Sequence, residues 1–136
     1  MKYDEFVGQV RSRTNLETGE QARKAIQATL ESLGERLAGN EANQLAAQLP
    51  QELTGYLQTI DANESESFSL EEFFRRVSLR EGVAEPEASL HARVIIALIS
   101  ESVSMGEVQD IRAQLPADFA QLFAVENTGE LPDMQR

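Results

Sequence analysis

The 136-residue sequence predicts an all-α fold, a single helical bundle, and three observations carry that prediction. Apolar residues recur every three or four positions, as in Ala22, Ile26, Leu30, Leu33 and Leu37, which is the spacing of one helix face. Helix punctuation brackets these runs, with Thr18 and Gln21 placed as a capping box and prolines at Pro50 and Pro86 where a new helix would open. Finally, Ala47-Gln48-Leu49-Pro50 returns as Ala113-Gln114-Leu115-Pro116, so the bundle reads as two pseudo-symmetric helical repeats. The expected organisation is one domain over 1–136, with repeat one at about 2–60, a linker at 61–67, repeat two at about 68–124 and a tail at 125–136.

Repeat one opens with Tyr3, Phe6, Val7 and Val10 at helical spacing over residues 2 to about 13, and Asn15 is placed to stop that helix in a left-handed turn. The capping box at Thr18 starts a long helix running to about Leu37, which Gly39 ends. Asn40 caps a short helix, with Glu41 near its positive end and Leu45 and Leu49 facing inward. Pro50 suits the first turn of the next helix, whose buried stripe is Leu53, Tyr56, Leu57 and Ile60.

Repeat two restarts after the linker. Leu70, Phe73 and Val77 stand 67 positions beyond Tyr3, Phe6 and Val10, and Gly82 stands 67 beyond Asn15. From Pro86 onward the offset is 66: Ala88, Ala92, Ile96, Ile99 and Val103 answer the stripe of the first long helix. At the same offset Glu101 answers Glu35, Glu107 answers Glu41, and Phe119 and Phe123 answer Leu53 and Leu57.

Composition narrows the function classes. A formal charge of −11 opposes nonspecific nucleic-acid binding, which needs Lys and Arg against phosphate. The acids are spread evenly, 11 acidic and 6 basic residues in 1–67 against 12 and 6 in 68–136, so neither half is basic. The absence of cysteine removes disulfides, thiolate zinc sites and cysteine nucleophiles together. Acids at Asp4 and Glu5 stand where a signal peptide needs an apolar run, and no segment has the length of a membrane span, so a cytoplasmic protein without membrane attachment is expected.

The two copies differ most on the second long helix. Beyond the shared stripe it carries Leu90, Val94, Ala97 and Leu98, where the first has Lys24, Ala28, Glu31 and Ser32. The run Val94 to Ile99 is apolar all round, which marks either the central helix of the bundle or a face for a partner or apolar ligand. Leu90, Val94 and Leu98 are the candidate interface. His91, the only histidine, has no second histidine or cysteine to share a metal and no evident carboxylate to orient it, so it is assigned no role.

One loop carries calcium-type donors. Asp61, Asn63, Ser65, Ser69 and Glu72 fall at positions 1, 3, 5, 9 and 12 of an EF-hand pattern. Position 6 is Glu66, where the sharp turn demands glycine, and only Asp61 and Glu72 of these side chains are charged. The repeat offers a competing account, because Ser69-Leu70-Glu71-Glu72-Phe73 matches Lys2-Tyr3-Asp4-Glu5-Phe6 at the start of the first helix, with Ser69 as an N-cap. No phosphate loop, nucleophile elbow or zinc spacing is present, so no catalytic residue, cofactor or metal ligand is assigned beyond that weak loop.

The Tyr-Asp-Glu-Phe opening, the Leu33 to Leu37 helix end Leu-Gly-Glu-Arg-Leu, the Ala-Gln-Leu-Pro turn and the second start at Phe68 to Phe73 resemble a family of uncharacterised bacterial proteins, domain of unknown function 2267. The resemblance spans about residues 2 to 124. It implies an all-helical fold of two repeats and transfers no functional residue. The function expected is that of a non-enzymatic interaction or accessory protein, with a homodimer or another protein as partner. The alternatives are a carrier of a small apolar ligand, with His91 at the rim of a pocket between the halves, and weak calcium binding at 61–72.

Overall fold

The computed structural model describes residues 1–37, 39–58 and 66–127 of the chain, and among them there are helices and no strands. In order these are α1 (Tyr3–Arg13), α2 (Gly19–Arg36), α3 (Gly39–Ala47), α4 (Gln51–Leu57), α5 (Leu70–Glu81), α6 (Glu85–Ser102), α7 (Met105–Ala113) and a closing 3-10 helix (Ala117–Asn127).

The helix starts follow local chemistry. At α2 the Thr18 hydroxyl accepts from the Gln21 backbone N–H at 3.0 Å while the Gln21 side chain accepts from the Thr18 N–H at 3.2 Å, the reciprocal box that satisfies two orphan donors at the helix start. Ser69 and Ser104 do the same work alone for α5 and α7, accepting from the N–H of Glu72 and Glu107. Asp118 adds a tertiary cap: its carboxylate accepts from the Leu70 N–H at 2.8 Å and so pins the start of α5 to the final helix.

The helix ends depart from expectation at two places. Gly82 closes α5 at φ 79, the left-handed conformation that costs glycine least. The predicted counterpart, Asn15, is not the closing residue of α1. Thr14 ends it in extended geometry, its hydroxyl donating to the Val10 carbonyl at 2.8 Å and accepting from the Leu16 N–H at 3.2 Å. A threonine that bonds both sides of the break removes the need for a left-handed residue. Gly39, expected to end α2, is instead the first residue of α3, with α2 closing at Leu37 in extended geometry.

The long helices α2 and α6 pack on each other at the centre. Helices α1, α4 and α5 cover α2, while α1, α5 and the 3-10 helix cover α6. Both therefore lose more surface than a single stripe. On α2 the buried set extends past the predicted positions to Ala25, Ala28, Thr29, Ser32 and Gly34, and on α6 Val94 to Ile99 is buried throughout. Phe6, Phe73 and Phe119 are the largest side chains without solvent contact, and the rings of Phe73 and Phe119 meet edge to face with centroids 5.8 Å apart. In the 3-10 helix, at three residues per turn, Phe119 and Leu122 stand one above the other on the buried edge.

Ile60 of the predicted α4 stripe, Asp61, Asn63 and Ser65 of the candidate calcium loop, and most of the predicted tail lie outside the described residues.

Candidate functional site

The outer side of α5 concentrates the cations of the second half of the chain. Arg75, Arg76 and Arg80 lie on this one helix. Arg76 reaches three carboxylates, Glu72 at 2.8 Å, Glu66 at 2.9 Å and Glu35 of α2 at 3.0 Å. Its guanidinium also stacks over the Phe68 ring, with Cζ 4.0 Å from the centroid. Arg80 forks onto both oxygens of Glu35, donates to the Ser32 hydroxyl at 2.9 Å and lies 3.6 Å from Glu31. Arg75 holds Glu72 at 2.8 Å and keeps 54% of its side chain exposed.

These contacts decide protonation. Hydrogen bonds from Arg75 and then Arg76 hold the Glu72 carboxyl down to about 2. Hydrogen bonding to Arg80 outweighs burial and lowers Glu35 as well. The guanidinium planes are thus fixed before any ligand arrives, which lowers the ordering cost of binding.

Leu79 stands in the middle of this charged face at 66% exposure, and a groove of about 290 Å³ runs beside it, lined by Glu35, Glu72, Arg75, Arg76, Leu79 and Arg80. A smaller hollow of about 250 Å³ continues past Arg80 to Lys24, Gln27, Ala28 and Glu31 of α2. Open grooves with fixed guanidiniums around an exposed apolar side chain suit a protein segment better than an enclosed small molecule.

Residues 3–122 match the family described as "Uncharacterized conserved protein (DUF2267)". The chain belongs to that family. No curated protein matches it. This DUF2267 chain therefore brings an all-helical framework without an assigned activity, and the reading of its surface rests on its own geometry.

The residues singled out in the sequence are not assembled into one site. Val94 and Leu98 are 5% and 0% exposed, while Leu90 keeps 38%, so the face they were expected to form is the inside of the bundle with one side chain at its edge. The helix is apolar all round because α1, α2, α5 and the 3-10 helix surround it. On α2, Glu31 and Ser32, which answer Ala97 and Leu98 in the sequence, are polar and are engaged by Arg80.

His91, for which the sequence shows no evident carboxylate, has one in the fold. It is 6% exposed, and its Nδ1 lies 2.6 Å from Oε2 of Glu81, itself 4% exposed. The turn at Gly82 folds α6 back on α5 and brings the two residues together across ten positions. Closed from solvent, the pair ties two helices and offers no surface to a substrate. The alternation of a glycine turn between an acid and a histidine on adjacent helices was the signal that could have found it.

Of the candidate calcium loop, Ser69 caps α5 and Glu72 is held by two arginines. A cavity of about 140 Å³ lies between Arg112, Leu115, Pro116, Ala117, Phe119, Ala120 and Phe123. It belongs to one half of the chain, is smaller than the usual ligand pocket, and does not include His91 in its lining. Among the described residues no helix is long and apolar enough to cross a membrane.

Proposed function

We propose that this chain is a non-enzymatic protein-interaction module of the cytoplasm, and that α5 presents its docking face to an acidic partner segment carrying an apolar side chain. Leu79 carries the reading: a leucine 66% exposed amid Arg75, Arg76 and Arg80 leaves apolar area in water at a place where three guanidiniums are already oriented by their carboxylate partners. Arginine is also enriched at interface cores, where lysine and the acids are depleted. An acidic partner segment fits because Arg75 keeps 54% of its side chain exposed here, while the chain as a whole is negative and repels such a segment elsewhere.

The two-repeat architecture is part of the proposal. Arg13 of α1 pairs with Glu101 of α6 at 2.9 Å, and Arg80 of α5 pairs with Glu35 of α2. Arg80 stands 67 positions beyond Arg13 and Glu101 stands 66 beyond Glu35, so each half lends its first helix to the other's long helix in the same way. Against that shared frame, Arg75, Arg76 and Leu79 replace Gly8, Gln9 and Ser12. The outer face of α5 is then a departure between halves that faces solvent, whereas the departure at Val94 and Leu98 is absorbed by packing. A homodimer through Leu90 would rest on that single exposed side chain, so a heterologous partner is the stronger reading.

A photo-crosslinking amino acid at position 79, in the full chain in its native cells, tests this. Adducts to a discrete protein should form, exceed those from the same probe at exposed Gln109, and disappear with Arg75→Glu while the melting temperature holds. Equal labelling at both positions, or adducts indifferent to Arg75→Glu, would reject the docking face.

A further inference from the structure

Helices α3 and α7 meet on a different side of the bundle, and their third residues, Glu41 and Glu107, face each other there. Sequence alignment of the halves already matches these two glutamates; only the packing shows that they converge. Glu41 is 6% exposed and Glu107 4%. Gln114 donates its side-chain amide to Oε1 of Glu41 at 3.2 Å. Oε2 of Glu41 and Oε2 of Glu107 are shut off from solvent and have no hydrogen-bond partner. Asp110, one turn beyond Glu107 on α7, is exposed and completes a cluster in which one oxygen from each residue lies within 4.8 Å of the others.

Two buried carboxylate oxygens without donors are costly, and adding a third carboxylate raises the cost through like-charge repulsion. Burial of Glu107 and the neighbouring carboxyls of Glu41 and Asp110 push its carboxyl up to about 7, as crowding of like charges does. One shared proton can relieve Glu41 and Glu107 but leaves Asp110 untouched. A divalent cation relieves all three, and the spacing admits one. Oxygens at about 2.4 Å from a common centre stand at most about 4.8 Å apart, the radius typical of calcium and slightly above that of magnesium. The donor set is all oxygen, which selects hard cations over zinc or copper. Asp110, at the surface, leaves a route by which the ion and its remaining waters can enter.

We propose that Glu41, Glu107 and Asp110 bind a hard divalent cation of the calcium or manganese class at the contact of α3 and α7, with Gln114 orienting Glu41. The cation would join the third residue of each helix and so clasp the two halves. This site is separate from the Asp61 to Glu72 loop and from the face of α5, and does not depend on either.

The test uses the full chain stripped with chelator, titrated with calcium, manganese and magnesium chlorides by calorimetry and followed by thermal melts. One cation per chain should bind saturably and raise the melting temperature. Asp110→Asn, at an exposed position that leaves the fold intact, should weaken binding at least tenfold, as should Glu107→Gln. Glu72→Gln should leave it unchanged. Manganese should broaden amide resonances of α3 and α7 first. Absence of saturable binding at millimolar cation, or binding that survives both Asp110→Asn and Glu107→Gln, would overturn the site and leave Glu41 and Glu107 as a proton-sharing pair. Loss of binding in Glu72→Gln alone would overturn it in favour of the 61–72 loop.

Discussion

Gly34→Ala probes a close helix crossing. Gly34 lies in α2 where α4 passes over it, and a Cβ there would stand 2.5 Å from the Leu57 carbonyl oxygen, 3.1 Å from its carbon and 3.3 Å from Leu57 Cα. In an open helix interior the same change stabilises by about 1 kcal/mol. Here the obstructing atoms are backbone and have no alternative rotamer, so α4 must move and loosen Leu53 and Leu57, which are 0% and 1% exposed. With rigid backbone only 2.5 Å away, overpacking costs about 2–3 kcal/mol, the upper part of its usual range, and subtracting the propensity gain leaves a net loss of about 1–2 kcal/mol. With an unfolding entropy of about 2.1 cal/mol/K per residue over 136 residues, the midpoint falls by roughly 3–7 °C. Calorimetric melts of Gly34→Ala beside Gly8→Ala and Gly55→Ala provide the check, since a Cβ at either control position meets nothing within 4 Å. The controls should melt at or above the parent. A Gly34→Ala protein as stable as the parent would refute the close approach of α2 and α4.

Other perturbations follow from single contacts. Thr18→Ala removes the acceptor that closes the capping box of α2 and should cost about 1 kcal/mol in urea unfolding, with unchanged helical content by circular dichroism. Glu81→Ala strips His91 of its buried hydrogen-bond partner inside the α5–α6 contact and should cost about 1–3 kcal/mol, several times the effect of Glu85→Ala at the exposed start of α6. Stability in chelator should peak at mildly acidic pH. Glu107 is held up to about 7 in the folded chain against 4.5 unfolded, so the stability it contributes is present below about pH 4.5 and is lost as pH rises through 7, on the order of 1–3 kcal/mol. Glu35 and Glu72 are held below 4.5, so their contribution is present above that value and is lost as acid is added. Denaturant midpoints between pH 4 and 9 should therefore fall on the alkaline side in the parent and stay flat there in Glu107→Gln.

Much of the fold was legible from local chemistry. Tyr3, Phe6 and Val10, the Thr18 box, Ser69 before Leu70, Gly82 and Pro86 each act within one turn of chain, and each element begins or ends within a residue or two of where these residues place it. Thr14 replaced Asn15 at the end of α1 because two local solutions compete there and the hydroxyl bonded to both sides. The α5 groove was half legible: Arg75, Arg76 and Glu72 are neighbours on one helix, but their coupling to Glu35, and the exposure of Leu79 beside them, depend on α2 lying alongside.

By itself, the sequence determined the all-helical class, most helix boundaries, the faces turned inward and membership of a family, because periodicity, caps and glycine turns are set by contacts three or four residues apart. Tertiary structure alone decided which surplus apolar and charged side chains face water. Val94 and Leu98 were as apolar in sequence as any interface, yet α6 is enclosed; Glu41 and Glu107 were as acidic as many solvated glutamates, yet α3 and α7 bury them against each other; and Gly34 looked like any helix-weakening glycine until α4 crossed it. Burial and close approach are properties of pairs of elements far apart in the chain, and no spacing within one helix records its neighbour.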